Sequence, residues 1–205
     1  MAIADSFIKS GFCRNALVIA AEVYSRFLNP QDISTYPYFG DGAGAVLLGA
    51  TDTDSGIGKI ILKADGGGAD VIQVPGGGSM KPFAVCNPQD VFFKMRGREV
   101  FQFAVTKGSE VIEELLSSAG LAKESVACVI THQANINIIS ELSQRLAIPR
   151  EKFFVNLERY GNTAAASVFI ALDEAVASGA AKPGDYVVIA AFGGGLSWGA
   201  SLIRL

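Results

Sequence analysis

His132 is the only histidine in the chain, and it stands in VITHQANINII (129–139), where an apolar run gives way to polar residues and then to a helical spacing. An imidazole that ends a strand and precedes a helix occupies the place where open α/β sheets bind ligands. The same place also suits a core or capping histidine with a satisfied hydrogen bond. Asn135 or Asn137 can serve as the N-cap of the helix that follows. Thirty positions on, RYGNTAAAS (159–167) repeats the arrangement, with Asn162 after a Tyr-Gly turn and immediately before a second expected helix. An N-cap is again the plain reading. The pair carries more than either member. Helix N-termini favour negative charge and disfavour imidazolium, so His132 is expected to be neutral and to donate one N–H. A neutral histidine and an asparagine amide converging on one point would make a hydrogen-bond cradle for a developing oxyanion or enolate.

A third element, AFGGGLSWG (191–199), joins two apolar runs through three glycines. Its plain reading is a tight turn needing positive φ. Its functional reading is close backbone approach to a ligand, with an exposed N–H as oxyanion donor. It lacks the GxxxxGK[ST] spacing of a phosphate loop. In FGDGAGAVL (39–47) the small residues are read as structural, permitting close packing or a turn. None of the three cysteines reads as a nucleophile. Cys128 lies inside an apolar strand, and neither Cys13 nor Cys86 has a neighbour that would lower its pKa.

The elements that must position these residues alternate along the chain. Residues 2–10 read as the end of a helix closed by Gly11. No Ser, Thr, Asp or Asn entry signal precedes it, so the chain is expected to begin partway along that helix. Strands are expected at 16–23, within 39–50 and at 58–65, and a loop-like stretch at 66–90. Helical spacing covers 99–118, a buried strand 126–132, and a further helix ends before Pro149. An alanine-rich helix is expected from about Thr163 to Ser178, followed by strands at 185–192 and 196–205. Alternating strands and helices indicate an α/β layered fold.

Half of the 205 residues are apolar, enough for a sizeable core, and the net charge of −3 gives no nucleic-acid footprint. The apolar runs are too short to span a membrane. Three widely separated cysteines without CxxC fit neither a disulfide framework nor a metal site, and suit a reducing cytoplasm.

FGDGAGAVLL, MRGREVF (95–101), THQAN (131–135), RYGNTAAAS and AFGGGLSWGASLIRL together resemble β-ketoacyl-acyl carrier protein synthase III of the thiolase-like superfamily. The resemblance implies a layered α-β-α-β-α fold. Residues 1–55 would end its N-terminal half and 56–205 would form its C-terminal half. It further implies a cofactor-free acyltransferase of fatty-acid or related polyketide chain initiation. Such an enzyme condenses an acyl-CoA starter with malonyl-acyl carrier protein, with loss of CO₂, and works as a homodimer. On this likeness His132 and Asn162 would bind the malonyl thioester and steady its enolate. Gly194 would offer an oxyanion N–H, Phe192 would line the site, and Asn135 and Gly97 would touch the pantetheine arm. The family's nucleophilic cysteine belongs to the start of the helix whose end is residues 2–10, so it is expected to lie outside this chain.

Two departures qualify the likeness. Ile33 stands where many relatives carry an arginine that holds the CoA nucleotide. The helix after THQAN offers only Arg145 for an acidic carrier. Two other outcomes stay open: a non-catalytic thiolase-like subunit pairing with a complete partner, and decarboxylation of malonyl thioesters without condensation.

Overall fold

A computed structural model describes residues 1–205. Two sheets share one layer of helices between them. The smaller sheet pairs β1 (Asn15–Glu22) antiparallel with β2 (Gly42–Gly49), in a register that sets Leu17 opposite Leu47 and Ile19 opposite Ala45. The larger sheet has the order β3 (Gly56–Ala64), β8 (Ser197–Arg204), β7 (Tyr186–Gly193), β6 (Val126–Thr131). Only β6 and β7 run parallel. A parallel pair needs a long crossover, here supplied by α3 (Ile136–Leu146), α4 (Leu157–Tyr160) and α5 (Ala166–Ala177).

The unbroken apolar runs of β6 and β7 have a simple cause: both faces of this sheet are covered. Val129, Val188 and Ala190 face α3 and α2 (Gly97–Ala119), in a core with Ile112, Leu115, Ile139 and Leu142. Cys128, Ile130, Val187 and Ile189 face the other way, against Val168, Ala171 and Ala175 of α5. The apolar spacing expected for 99–118 therefore builds the core face of α2, which closes on Gly120 in the left-handed conformation (φ +62°).

The central layer holds α5 and α1 (Ala2–Lys9), and Met1, which precedes α1, packs on the α5 core. The small residues of FGDGAGAVL explain how β2 approaches α5. A Cβ on Gly44 would stand 2.7 Å from Cβ of Phe169, and one on Gly42 would stand 3.0 Å from Cδ1 of Ile170. The chain thus forms four layers, α-β-α-β. Beyond β1 and β2 the sheet face is bare, with Leu17, Ile19 and Leu47 exposed by 60%, 64% and 70%. The stretch 66–90 is mostly turns, with one short pairing of β4 (Ile72–Gln73) to β5 (Lys94–Met95). No helix is long and apolar enough to cross a membrane.

Candidate active site

His132 follows β6 directly, and its backbone N–H extends the ladder to the Ala190 carbonyl (2.8 Å). This puts the imidazole at the carboxyl end of the parallel pair, where such sheets place ligands. Gln133, nearly fully buried, fixes the exit from the strand. Its Nε2 donates to the carbonyls of Thr131 (2.9 Å) and Phe154 (3.3 Å), and its Oε1 accepts from the Asn156 N–H (3.3 Å). Asn135, not Asn137, is the N-cap of α3, its side chain accepting from the Asn137 N–H at 2.8 Å.

Asn162 is held by the opposite side of the molecule. Its N–H donates to the Tyr38 carbonyl (2.8 Å), and its own carbonyl accepts from the Gly40 N–H (3.0 Å). Gly161 makes this possible: it has φ +65°, and a Cβ there would lie 3.0 Å from the Tyr38 oxygen. Upstream, Glu174 of α5 accepts from Asn156 Nδ2 (2.8 Å), Arg159 Nη2 (2.6 Å) and Tyr160 Oη (2.6 Å), pinning the turn of α4 that delivers Asn162.

The helix expected from Thr163 begins only at Ala166. Ala164 has φ +47°, a left-handed conformation that an α-helix cannot contain. Asn162 is therefore not the cap of α5. Its Oδ1 closes a turn on the Ala164 N–H (2.9 Å), which leaves the amide nitrogen as the free end.

The His132 ring stands edge-on to Phe192, with ring centroids 5.6 Å apart, and its Nδ1 lies 2.8 Å from Ser167 Oγ. Burial pushes its pKa down to about 4, opposed by a contact with the Ala164 backbone. The expected neutral imidazole thus has a different cause. Desolvation among packed side chains penalises the charged form, and the helix N-terminus is not needed to explain it.

In AFGGG only Gly195 has positive φ (+138°). Gly194 is a close-approach position instead, since a Cβ there would lie 3.3 Å from the Ile72 carbonyl oxygen. The Gly194 N–H donates to no other backbone group.

One cavity of about 920 Å³ brings all six predicted residues together: His132, Asn162, Gly194, Phe192, Asn135 and Gly97 all line it. Its wall is largely apolar, with Tyr24 stacked on Phe39 (centroids 5.0 Å apart) and Phe103 edge-on to Trp198 (5.5 Å). Met1 and Ala2 line it as well. Sequence reasoning missed Ser167, which sat inside a quoted motif without a role. It also missed the aromatic wall, because residues scattered from 24 to 198 share no local pattern.

No cysteine is among the lining residues. Cys128 is buried against α5, and burial pushes its thiol up to about 11. The Cys86 thiol donates to the Lys81 carbonyl in its loop (3.1 Å). Nothing gathers three metal-ligating side chains. Of the two departures, Ile33 is 85% exposed in a turn closed by Asp32, and Arg145 is paired with Glu141 (3.0 Å).

Two family profiles match the chain: 3-oxoacyl-[acyl-carrier-protein] synthase III over residues 1–75, and the C-terminal portion of the same synthase over residues 116–205. Among curated proteins, the chain is 45% identical over 202 residues to a beta-ketoacyl-[acyl-carrier-protein] synthase III of Aquifex aeolicus, covering 98% of this chain and 61% of that protein. It is 43% identical over 204 residues to a synthase III of a Roseiflexus species, covering 98% and 62%. The chain thus spans less than two thirds of the length of these relatives. The crystal structure of 3-oxoacyl-[acyl-carrier-protein] synthase III from Aquifex aeolicus superposes with a TM-score of 0.91 at 44% identity, covering all of this chain and 62% of that one.

Proposed function

Because the chain belongs to the 3-oxoacyl-[acyl-carrier-protein] synthase III family, we propose that it carries the malonyl-handling part of a decarboxylative condensing enzyme. In that reaction an acyl starter and malonyl-acyl carrier protein are joined in fatty-acid or polyketide chain initiation. The observation that carries this reading is the convergence of Asn162, His132 and Gly194 on one apolar cavity.

Decarboxylation of a malonyl thioester leaves an enolate whose charge rests on the thioester oxygen. The free amide N–H of Asn162 is aimed by a backbone clamp on both sides and by the turn to Ala164. A donor held in advance stabilises such an oxygen without reorganising. Phe192 and the aromatic wall give that environment an apolar lining, and the Gly194 N–H serves the acyl-transfer steps. Gly97 and Asn135 open the starts of α2 and α3 toward the same cavity and suit a pantetheine arm. In this reading a cysteine accepts the acyl group, and Cys13, Cys86 and Cys128 all stand outside the cavity wall.

The substrates in this reading are acyl-CoA or another acyl thioester and malonyl-acyl carrier protein, with no cofactor, in a cytoplasmic homodimer. Ile33 supplies no charge for a CoA nucleotide, and Arg145 is engaged by Glu141. A donor held by its acyl and pantetheine portions therefore fits this surface better than one gripped by its phosphates. The bare face of β1 and β2 supports a second reading, a non-catalytic subunit that packs on a complete partner.

The two readings separate in one assay. Given malonyl-acyl carrier protein, a condensing chain releases CO₂, and Asn162→Ala and His132→Ala each lower the rate about 10²–10³-fold. Equal rates in all three proteins would overturn the catalytic reading. Carrier binding without CO₂ release would establish the subunit reading.

A further inference from the structure

Two site residues on different segments need a common frame, and the backbone clamp on residues 38–40 does not supply it. That clamp fastens Asn162 beside the smaller sheet, whereas His132 hangs from the larger one. We infer that Glu174 is a positioning residue of the site: it fastens the α4 turn, and with it Asn162, to the helix that also holds the segment carrying His132.

The turn is too short to stand alone. α4 has four residues, far below the length at which a helix is stable by itself in water. Asn156 stands at its N-cap yet makes no side-chain cap bond, the usual use of an asparagine there. Its Nδ2 donates instead to Oε2 of Glu174 (2.8 Å), which also accepts from Arg159 Nη2 (2.6 Å), while Oε1 accepts from Tyr160 Oη (2.6 Å). One carboxylate thus grips both ends of the turn, and Gly161 and Asn162 follow directly. Burial works to raise the Glu174 pKa, but the hydrogen bonds from Tyr160 and Asn156 and the charge of Arg159 outweigh it. The group therefore titrates below its ordinary range and is a carboxylate at neutral pH.

Glu174 follows Ser167 by seven residues on α5, two turns of about 5.4 Å each along one helix face. Ser167 Oγ accepts from the backbone N–H of Gln133 (3.1 Å), and Gln133 Oε1 accepts from the backbone N–H of Asn156 (3.3 Å). These contacts close a circuit: Gln133 to Asn156, Asn156 to Glu174, along α5 to Ser167, and back to Gln133. Gln133 is the neighbour of His132, so the circuit joins both segments of the site. Gln133, Asn156 and Ser167 are 1%, 2% and 2% exposed, so water does not replace a bond lost among them. α5 is itself seated on the larger sheet, with Ala171 and Ala175 packed in one core with Cys128, Ile130 and Val187.

None of Asn156, Arg159, Tyr160 and Glu174 lines the cavity. Glu174 therefore acts through Asn162. Its value to catalysis rests on the proposed function, while the attachment itself stands on geometry alone.

Hydrogen exchange of the ¹⁵N-labelled 205-residue chain reads that attachment. The amides of Gly161, Asn162 and Ala164 are bonded to the Leu157 carbonyl, the Tyr38 carbonyl and the Asn162 side chain. In Glu174→Ala these three should exchange about tenfold faster or more, while the amides of β6 and β7 keep their rates. Uniform acceleration would reduce Glu174 to a contributor to global stability. No acceleration would leave Asn162 held by its clamp alone, and either result overturns the inference. Should Glu174→Ala not fold, Tyr160→Phe removes one donor at a position 40% exposed and should quicken the same three amides selectively. A uniform or absent change in that variant would overturn it equally. In the CO₂ assay Glu174→Ala should lower kcat about tenfold with KM little changed, and should cost nothing further in an Asn162→Ala chain. A full additional loss in that background would show that Glu174 does not act through Asn162. A wild-type chain that releases no CO₂ would sink the proposed function, and the exchange rates would still decide this inference.

Discussion

In the larger sheet, Val129 and Ile130 point to opposite faces and both are fully buried. In the smaller one, Val18 and Ile19 also point to opposite faces, yet Ile19 is 64% exposed. The two sequences are equally apolar. The difference lies in what covers them: α2 and α3 on one side and α5 on the other for the larger sheet, α1 and α5 alone for the smaller. Among the first 55 residues only Leu28 and Thr35 are buried. An apolar run therefore encodes a strand built for two covered faces, but it does not say whether the second cover belongs to the same chain. The site depends on both regions, since His132 hangs from the larger sheet and Asn162 is clamped by Tyr38 and Gly40 beside the smaller one.

The largest contrast between the regions should come from Leu115→Ala, which empties a fully buried position of the α2 core. A cost of about 2–5 kcal/mol is expected from denaturant unfolding. A cost below ~1 kcal/mol would show that this core is not the stable half.

The second effect comes from His132. Its pKa is about 4 in the fold, against 6.5 for the ordinary side chain. Above ~6.5 the ring is neutral in both folded and unfolded chains, and the full contribution is present. As pH falls toward about 4 the unfolded chain takes up a proton that the fold refuses, so stability drops through that window. Below it, both states are protonated and the slope ends. His132 is only partly buried and lines the cavity, which softens the penalty, so the loss should be roughly 2–3 kcal/mol. Unfolding measured from pH 7 to 4 checks it, and His132→Gln should abolish this part of the slope. The same slope in both proteins would refute the burial argument.

The smallest effect belongs to the bare face. Leu47→Ala removes as much side chain as Leu115→Ala but at a position 70% exposed. The expected change is within about 0.5 kcal/mol. A loss comparable with Leu115 would mean that this face is covered in solution.

Much of the molecule was legible from spacing. The helix of α2, the buried strands β6 to β8 and the glycine turn at 193–195 follow from periods and punctuation within short windows. So does the suggestion that His132 and Asn162 act together, because each ends a recognisable local pattern. The start of α5 was misplaced by three residues. The left-handed turn at Ala164 is set by contacts with Ser167 and Asn162 and has no glycine to mark it.

What the amino-acid sequence determined by itself was the order of strands and helices, the apolar character of both sheets and the two polar side chains to watch. These are properties of neighbours along the chain. The tertiary structure decided the rest: that burial keeps His132 neutral, and that Asn162 reaches the cavity through a clamp on residues 38–40. It also put Ser167 against His132, 35 positions apart in the chain. Each of these rests on contacts between residues distant in the chain or on the exclusion of water, and neither is written in any local window.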